Sequence, residues 1–398
     1  MIHTYKEVKV LILLDTAYVS PLLAETLIEK KVKILDIQQQ LILNHKSEDE
    51  QNLVKVFQQE DLIIMNSEEA VQILNEYYAE SHVTKTANLF KNKFAFRKRL
   101  AESYPNFFFL ETTSGELGQL DLSSLPYPLI FKPTVGYSSV GVYRVENPQE
   151  FQSIIDKMEE TMEQWSEDDS KDVLGNETFI IESYIEGQEF AIDLFFDEKN
   201  DPVVLNLFAR MFKDEKDMSD RIYYTSKQVL QNYLTPITEY LQGLGEIFNL
   251  RKMPLHVELR MDDEGTIVPI EVNPLRFAGA GTTELGSFAY GVNSYDYFFE
   301  QKKPDWAALI NAMDNKIYSF TCAEFEGEIK IDDGLVIHHE LLQKQFHHIL
   351  EYRHIPYGQG ATFAVIFFSS ESLAQNDHIL SLDFMEYVEK EEYLYVNN

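Results

Sequence analysis

The chain of 398 residues is short of cysteine, of long apolar runs and of positive charge, and each shortage excludes a class of protein. Its one cysteine, Cys322, can form neither an intramolecular disulfide nor a cysteine-based metal site, which favours a reducing compartment. No run approaches the ~18 apolar residues of a membrane span. The short N-terminal run VKVLILLD lacks the cleavage site of a signal peptide, so we expect a soluble cytoplasmic protein.

Basic residues are outnumbered by acidic ones, 34 to 66, which gives a net charge of −32. An acidic surface repels nucleic-acid backbones and anionic membranes, so we expect neither as a partner. Hydrophobic residues make up 44% of the chain and aromatic residues 13%, which is typical of a globular protein rather than a disordered one.

The first eighty residues alternate between strand and helix patterns. The patterns predict strands at 8–14, 32–37 and 61–67 and helices at 20–31, 47–59 and 68–80. This order indicates a small parallel, Rossmann-like sheet. No G-x-G-x-x-G follows the first strand, so no dinucleotide site is predicted there.

The rest of the chain changes character twice. A helix is predicted at 85–104, followed by strand patterns around a Gly/Ser turn at 128–145 and an acidic, solvated segment at 150–173. Further strands are predicted at 178–198 and 203–212, and a helix at 227–249. The last eighty residues alternate strands and helices again, which we interpret as a separate small α+β unit with Cys322 buried in one of its strands.

Residues 255–273 read as a β-hairpin with one unusual face. With Glu264 and Gly265 as the two turn residues, Leu259 would face Ile270 on an apolar side. On the other side Glu258 would face Glu271, and His256 would face Asn273. Like charges directly opposed in a sheet are destabilising, so a cation is expected between the acids.

Two carboxylates and an amide oxygen are hard ligands that suit Mg²⁺ or Mn²⁺, with phosphate and water completing the shell. An exposed hairpin face and a carboxylate pair sharing one proton are the alternative interpretations. Positive charge and backbone amides for phosphate binding are offered by Lys132, by the turn GYSSVG at 136–141 and by Lys93.

Taken in order, five motifs resemble the ATP-grasp superfamily over about residues 1–300: NKFAFRKRL, PLIFKPTVGYSSVGVYRV, FIIESYIEGQEF, HVELRMDDEG and IEVNPLRFAGAGTTE. The resemblance implies an α/β ATP-grasp fold in three parts. These are a Rossmann-like domain at 1–85, an ATP-grasp domain at 86–305 with a mobile α+β lid at about 121–187, and a small α+β domain at 306–398.

The resemblance also implies roles for individual residues, with ATP and Mg²⁺ (or Mn²⁺) as cofactors. The residues implied to contact ATP are Lys93, Lys132, Ser138, Ser139, Gly141, Glu182, Tyr184, Ile185 and Glu189. The implied metal ligands are Glu258, Glu271 and Asn273. Arg276 and Arg210 are the candidate catalytic residues, although Arg276 follows Asn273 by three positions where many family members have an arginine after two.

The activity that the resemblance implies is ATP-dependent ligation of a carboxylate to an amine through an acyl-phosphate, with amino acids or a peptide as substrates. A carboxylate–thiol ligase, a kinase-like enzyme and a non-catalytic nucleotide-binding module stay open. A homodimer is also left open, with the C-terminal unit as one place for the contact.

Overall fold

The computed structural model describes residues 9–37, 55, 57–58, 62–135, 141–165, 178–213, 217, 221–325, 335–356 and 361–390. Within these ranges no helix is both long enough and apolar enough to cross a bilayer. The predicted helix at 47–59 lies almost entirely outside the described residues, as do Ser138 and Ser139.

The N-terminal unit is the parallel sheet that the sequence predicts. Its strands are β1 (Val10–Leu14), β2 (Lys33–Asp36) and β3 (Leu62–Met65), in the order β2-β1-β3. Helices α1 (Pro21–Lys30) and α2 (Ala70–Tyr77) follow β1 and β3. Helix α1 begins as expected for a Ser-Pro start, because Ser20 Oγ accepts a hydrogen bond from the amide of Leu23 at 3.4 Å.

The single helix predicted at 85–104 is wrong, because the chain forms α3 (His82–Lys91) and α4 (Lys93–Leu100). Asn92 between them is extended, and its side-chain oxygen caps α4 by accepting from the amide of Ala95 at 2.8 Å. The break places Lys93 at the first position of α4, where its amide donates to Thr134 O at 3.0 Å.

A four-stranded antiparallel sheet has three of its strands within the range 121–187, whose role as a lid stays a prediction. It contains β4 (Phe109–Thr113), β5 (Leu129–Pro133), β6 (Tyr143–Val145) and β7 (Thr178–Ser183), in the order β4-β7-β5-β6. Helix α5 (Pro148–Trp165) covers it over an apolar core that includes Phe131, Phe151 and Phe179. The first part of the acidic segment at 150–173 is therefore helical, and its end lies outside the described residues.

The centre of the molecule is one eight-stranded antiparallel sheet in the order β12-β11-β8-β9-β10-β13-β16-β15. Its strands are β8 (Gln188–Phe196), β9 (Pro202–Met211), β10 (Ile222–Ser226), β11 (Met253–Met261), β12 (Ile267–Pro274), β13 (Ile317–Glu324), β15 (His348–His354) and β16 (Thr362–Ser370). The remaining elements are α6 (Lys227–Phe248), α7 (Leu285–Tyr290), α8 (Ser294–Phe299), α9 (Trp306–Ala312), β14 (Leu335–Ile337), α10 (His339–Gln343), α11 (Leu373–Leu380) and β17 (Val388–Lys390).

The interpretation of the last eighty residues as a separate unit is wrong for the sheet. Strand β13 pairs with β10 over five residue pairs, so the C-terminal strands extend the same sheet. Cys322 on β13 is half-buried rather than fully buried.

The two faces of this sheet differ because side chains alternate along each strand. One face is apolar and packs on α6 through residues such as Ile192, Leu207 and Val257. The opposite face carries the polar residues of β8, β9, β11 and β12, and this polar face holds the candidate site.

Candidate active site

The hairpin of β11 and β12 brings the two acids together as predicted. Glu258 pairs with Glu271, Val257 with Val272 and His256 with Asn273. The predicted turn is wrong, because Asp262 N donates to Thr266 O at 3.1 Å and three residues, 263–265, form the loop. A bulge then leaves Ile270 without a partner and sets Leu259 opposite Pro269, which restores the predicted register at the acids.

The acid pair has the donor chemistry of a magnesium site. The side chains of Glu258 and Glu271 are 23% and 24% exposed, so both carboxylates are partly open to solvent. Asn273 Nδ2 donates to Glu271 Oε1 at 3.0 Å, which leaves the amide oxygen as a further ligand. The described residues include no cluster of three or more His, Cys, Asp or Glu side chains that could hold a metal ion, so phosphate oxygens would have to supply the other ligands.

Two lysines flank these acids. Lys93 Nζ lies 3.5 Å from Glu271 Oε2. Burial alone would raise the pKa of Glu271, but the charges of Lys93 and Lys132 hold it below its ordinary value. The cations that the sequence assigns to phosphate and the acids that it assigns to a metal therefore lie in one place.

Glu182, the residue implied to meet the adenine, is fully buried between two cations. Lys132 Nζ lies 2.7 Å from its Oε1, and Arg97 Nε lies 2.5 Å from its Oε2. Burial opposes ionisation, but Arg97 and Lys132 lower the pKa of Glu182 to about 2. Glu182 therefore fixes the position of Lys132.

Arg97 is a residue that the sequence reasoning missed. Its Nη1 also donates to Pro269 O at 2.6 Å. Arg97 on α4 therefore contacts both β7, through Glu182, and β12, through Pro269. It stands in the motif NKFAFRKRL beside other basic residues, and only its burial, at 3% exposure, distinguishes it.

Glu189, the residue implied to hold the ribose, accepts from two arginines, Arg210 and Arg260. Arg210 Nη1 lies 2.6 Å from Oε1, and Arg260 Nε lies 2.9 Å from Oε2. Arg260 Nη1 also donates to Ile185 O at 2.6 Å, and the guanidinium carbon of Arg260 lies 4.9 Å from the centre of the Tyr184 ring. The adenine and ribose candidates are thus held in one network, and the predicted catalytic role of Arg210, which contacts Glu189, stays a prediction.

The structure places Arg276 against the N-terminal unit. Leu275 has a φ of +61°, and its carbonyl accepts from the amide of Met65 at 2.6 Å. Arg276 Nη2 then reaches Glu68 Oε1 at 2.7 Å, and Lys91 pairs with the same carboxylate. The additional residue before Arg276 therefore directs it to the loop after β3, and its predicted contact with the transferred phosphoryl group stays a prediction.

The turn at 136–141 holds three predicted phosphate contacts, Ser138, Ser139 and Gly141. Of these, Gly141 lies within the described residues. Its φ is +71°, and a Cβ there would lie 3.2 Å from Pro133 Cγ. This conformation favours glycine at the end of the phosphate loop that the sequence predicts.

Asp193 is a second residue that the sequence reasoning missed, although it is the one acid in the apolar run FAIDLFF. It is fully buried and lies 2.9 Å from His256 Nδ1, and His256 Nε2 lies 3.4 Å from Glu258. Burial would lower the pKa of His256, but its bonds to Asp193 and Glu258 raise it to about 9. Asp193 and His256 together therefore hold Glu258 in place, as partners of metal-binding side chains commonly do.

Comparisons with known proteins concern the fold as a whole. A family model for the ATP-grasp domain matches residues 125–284. The L-amino acid ligase from Bacillus licheniformis has a similar structure, with a TM-score of 0.67, 18% identity and coverage of 97% of this chain and 99% of that one. The N5-carboxyaminoimidazole synthase from Aspergillus clavatus, in complex with ADP and 5-aminoimidazole ribonucleotide, matches with a TM-score of 0.59, 13% identity and coverage of 96% and 98%.

A third similar structure is the phosphoribosylglycinamide synthetase from Anaerococcus prevotii, with a TM-score of 0.52, 15% identity and coverage of 96% and 99%. No curated protein matches the sequence. At these identities the structural similarity establishes the fold.

Proposed function

We propose that the chain is an ATP-dependent ligase that joins a carboxylic acid to an amine, with Mg²⁺ or Mn²⁺, because a family model for the ATP-grasp domain matches residues 125–284. Amino acids or peptides are the proposed substrates. The observation that carries the proposal is the opposition of Glu258 and Glu271 beside Lys93. The similarity in fold to the L-amino acid ligase supports the substrate class.

The chain's own residues would act by position and charge. Lys93 and Lys132 would bind ATP phosphates, and Glu258, Glu271 and Asn273 would hold the divalent ion, which supplies charge neutralisation during phosphoryl transfer. Glu182 keeps Lys132 in place, and the backbone of Tyr184 and Ile185 offers an edge for the adenine. Ribose binding by Glu189 would use the acceptor capacity that its two arginines leave on each oxygen.

The proposed reaction has two steps. An oxygen of the substrate carboxylate attacks the γ-phosphorus of ATP, the bond to the β-phosphate oxygen breaks, and ADP leaves. The amine nitrogen then attacks the acyl carbon, phosphate leaves, and the amine loses its proton to solvent or a base. Acyl-phosphates hydrolyse, so closure of the lid over the cleft, which excludes water, is part of the proposal.

The experiment that tests the function is a phosphate-release screen over amino acids, singly and in pairs, with mass detection of products. We expect ADP and phosphate only when a carboxylate and an amine are both present, with a product whose mass is their sum less one water. Release that requires a thiol such as coenzyme A would point to a carboxylate–thiol ligase. ATP binding with no turnover in any mixture would favour a non-catalytic nucleotide-binding module.

A further inference from the structure

A second buried polar cluster lies on the polar face of the sheet, away from the acid pair. It consists of Tyr18 from the loop after β1, Glu284 from the segment before α7, and Arg353 from β15 with its neighbour Glu351. These residues come from three separate parts of the chain, and no motif that the sequence reasoning used contains Tyr18 or Arg353. We call them the Tyr18–Glu284–Arg353 cluster.

Arg353 is fixed in one orientation. It forms a bidentate pair with Glu351, from Nε to Oε1 at 2.7 Å and from Nη2 to Oε2 at 2.7 Å. Nη2 also bonds to Glu284 Oε2, and the guanidinium carbon lies 4.8 Å from the centre of the Phe367 ring. These contacts use Nε and Nη2, so only Nη1 is left to meet a ligand.

Three buried atoms of the cluster have no hydrogen-bond partner among the described residues: Tyr18 Oη, Glu284 Oε1 and Arg353 Nη1. The Arg353 side chain is 9% exposed and that of Glu284 1%. Tyr18 approaches Arg353, and Ser20 approaches Glu284, but neither pair meets the geometry of a hydrogen bond. An unsatisfied buried polar atom costs about 1–3 kcal/mol, so three together call for a partner.

Gly281 lies close to two of these atoms. A Cβ on Gly281 would lie 3.0 Å from Arg353 Nη1 and 3.6 Å from Tyr18 Oη. Gly281 also has a φ of +88°, which residues with a side chain rarely adopt. A side chain at this position would therefore crowd Arg353 Nη1 and Tyr18 Oη.

The cluster is connected to the candidate active site by the segment 276–284, which follows β12. Ala278 N in this segment donates to Asp193 Oδ1 at 2.8 Å, and Asp193 in turn bonds to His256 behind Glu258. The segment thus runs from the predicted metal ligands, over Asp193, to Glu284.

The chemistry of the three atoms specifies the ligand. Arg353 Nη1 and the Tyr18 hydroxyl can donate to a carboxylate, while Glu284 Oε1 can only accept, which calls for an N–H. Acids outnumber cations in the cluster, so a simple anion is disfavoured and a group that also carries an ammonium is favoured. An α-amino acid has both.

Resting on the proposed ligation, we propose that the Tyr18–Glu284–Arg353 cluster binds the α-carboxylate and an N–H of the amine substrate, which is therefore an amino acid. The carboxylate of the acid substrate is consumed at the nucleotide. The α-carboxylate that persists through the reaction is that of the amine substrate, so a carboxylate site away from the metal ligands belongs to that substrate.

The test compares Tyr18→Phe and Arg353→Lys with the control Tyr318→Phe, whose hydroxyl meets exposed Asp314 at 3.2 Å. The probes are the amine-donating amino acid found by the screen and its α-carboxamide. We expect Tyr18→Phe to raise KM for the amino acid about threefold to tenfold, and Arg353→Lys about tenfold to hundredfold. KM for ATP should stay unchanged, and the wild-type preference for the acid over its amide should shrink in both variants.

Unchanged KM values in Tyr18→Phe, with ligation intact in the wild type, would overturn the inference while leaving the proposed function standing. Tyr18→Phe removes one hydroxyl, so it keeps the test decisive even if Arg353→Lys fails to fold. If the wild type ligates nothing, calorimetric titration of the twenty standard amino acids into wild type and Tyr18→Phe decides instead. Binding that weakens in the variant supports the cluster, and absence of binding to the wild type refutes it.

Discussion

The pKa of a buried carboxylate shifts in opposite directions at the two ends of the candidate site. These ends are the predicted nucleotide end, around Glu182, and the Tyr18–Glu284–Arg353 cluster. At the nucleotide end, Glu182 lies between Arg97 and Lys132, and its pKa falls to about 2 despite burial. At the other end, burial and the neighbouring charge of Glu351 raise the pKa of Glu284, and Arg353 does not overcome them. One end has two cations for one acid, and the other has two acids for one cation.

The comparison describes two clusters whose charge balance favours different ligands. Lys93 and Lys132 would balance the negative charge of a triphosphate once a divalent ion offsets Glu258 and Glu271. Surplus acids near Arg353 disfavour a bare anion and favour a zwitterion. We therefore expect substitutions at the nucleotide end to have the larger effects.

Replacing Arg97 should have the largest effect on stability, because it removes one of the two cations beside Glu182. In Arg97→Met, Glu182 keeps one cation in a fully buried place, so we expect the free energy of unfolding to fall by about 3–5 kcal/mol in chemical denaturation. Arg99→Met on the same helix is the control, because the one bond that Arg99 makes within the described residues is exposed and goes to Ile247 O. Equal losses in the two variants would contradict the structural role of Arg97.

Glu271→Gln separates activity from stability at the acid pair. It removes one of the two opposed carboxylates, so we expect phosphate release to fall at least about 10²–10³-fold while the folded state is retained. Circular dichroism and thermal unfolding check the fold, and Glu264→Gln at the exposed turn of the same hairpin is the control. Normal turnover in Glu271→Gln would refute the metal assignment.

The pH dependence of the free energy of unfolding tests whether Glu182 is ionised in the folded state. The pKa of Glu182 in the folded state, about 2, lies below the ordinary 4.5, so its contribution is present above pH 4.5 and is lost as the pH falls towards 2. We expect urea unfolding to show a steeper loss over this range in the wild type than in Glu182→Gln, by up to on the order of 3 kcal/mol. Parallel curves would mean that Glu182 is not held ionised.

Glu351→Gln tests the acid-rich end and should have the smallest effect. The Glu351 side chain is 33% exposed, and Arg353 retains its ion pair with Glu284 in the variant. We therefore expect a loss of about 1 kcal/mol in the free energy of unfolding. Thermal and chemical denaturation beside Arg97→Met supply the measurement. A loss as large as that of Arg97→Met would show that the two ends are not electrostatically different.

The sequence predicted most elements and the register of the acid pair, because both depend on local patterns. Alternation along β11 and β12 allowed one pairing that kept the apolar residues on one side. The same reasoning missed the bulge at Ile270, since a bulge depends on how the loop closes. It also missed the break at Asn92, where helix propensity continued across a capping residue.

The domain boundaries, the lid motion, the individual site roles and a homodimer stay predictions. The structure does show that the C-terminal strands join the central sheet, a pairing across more than ninety residues that no local pattern contains. Arg97, Asp193 and Arg353 were missed for a related reason. None of them stands out in its own stretch of sequence, because the role of each depends on ion pairs with residues distant in the chain.

By itself the sequence determined the composition-level exclusions, the alternating elements and the convergence of Glu258, Glu271 and Asn273, because strand periodicity fixes which residues share a face. Only the tertiary structure decided which cation each buried acid meets and where Arg276 points. Those outcomes depend on burial and on distances between segments, and the free energy of a buried charge is set by its surroundings rather than by its neighbours in sequence.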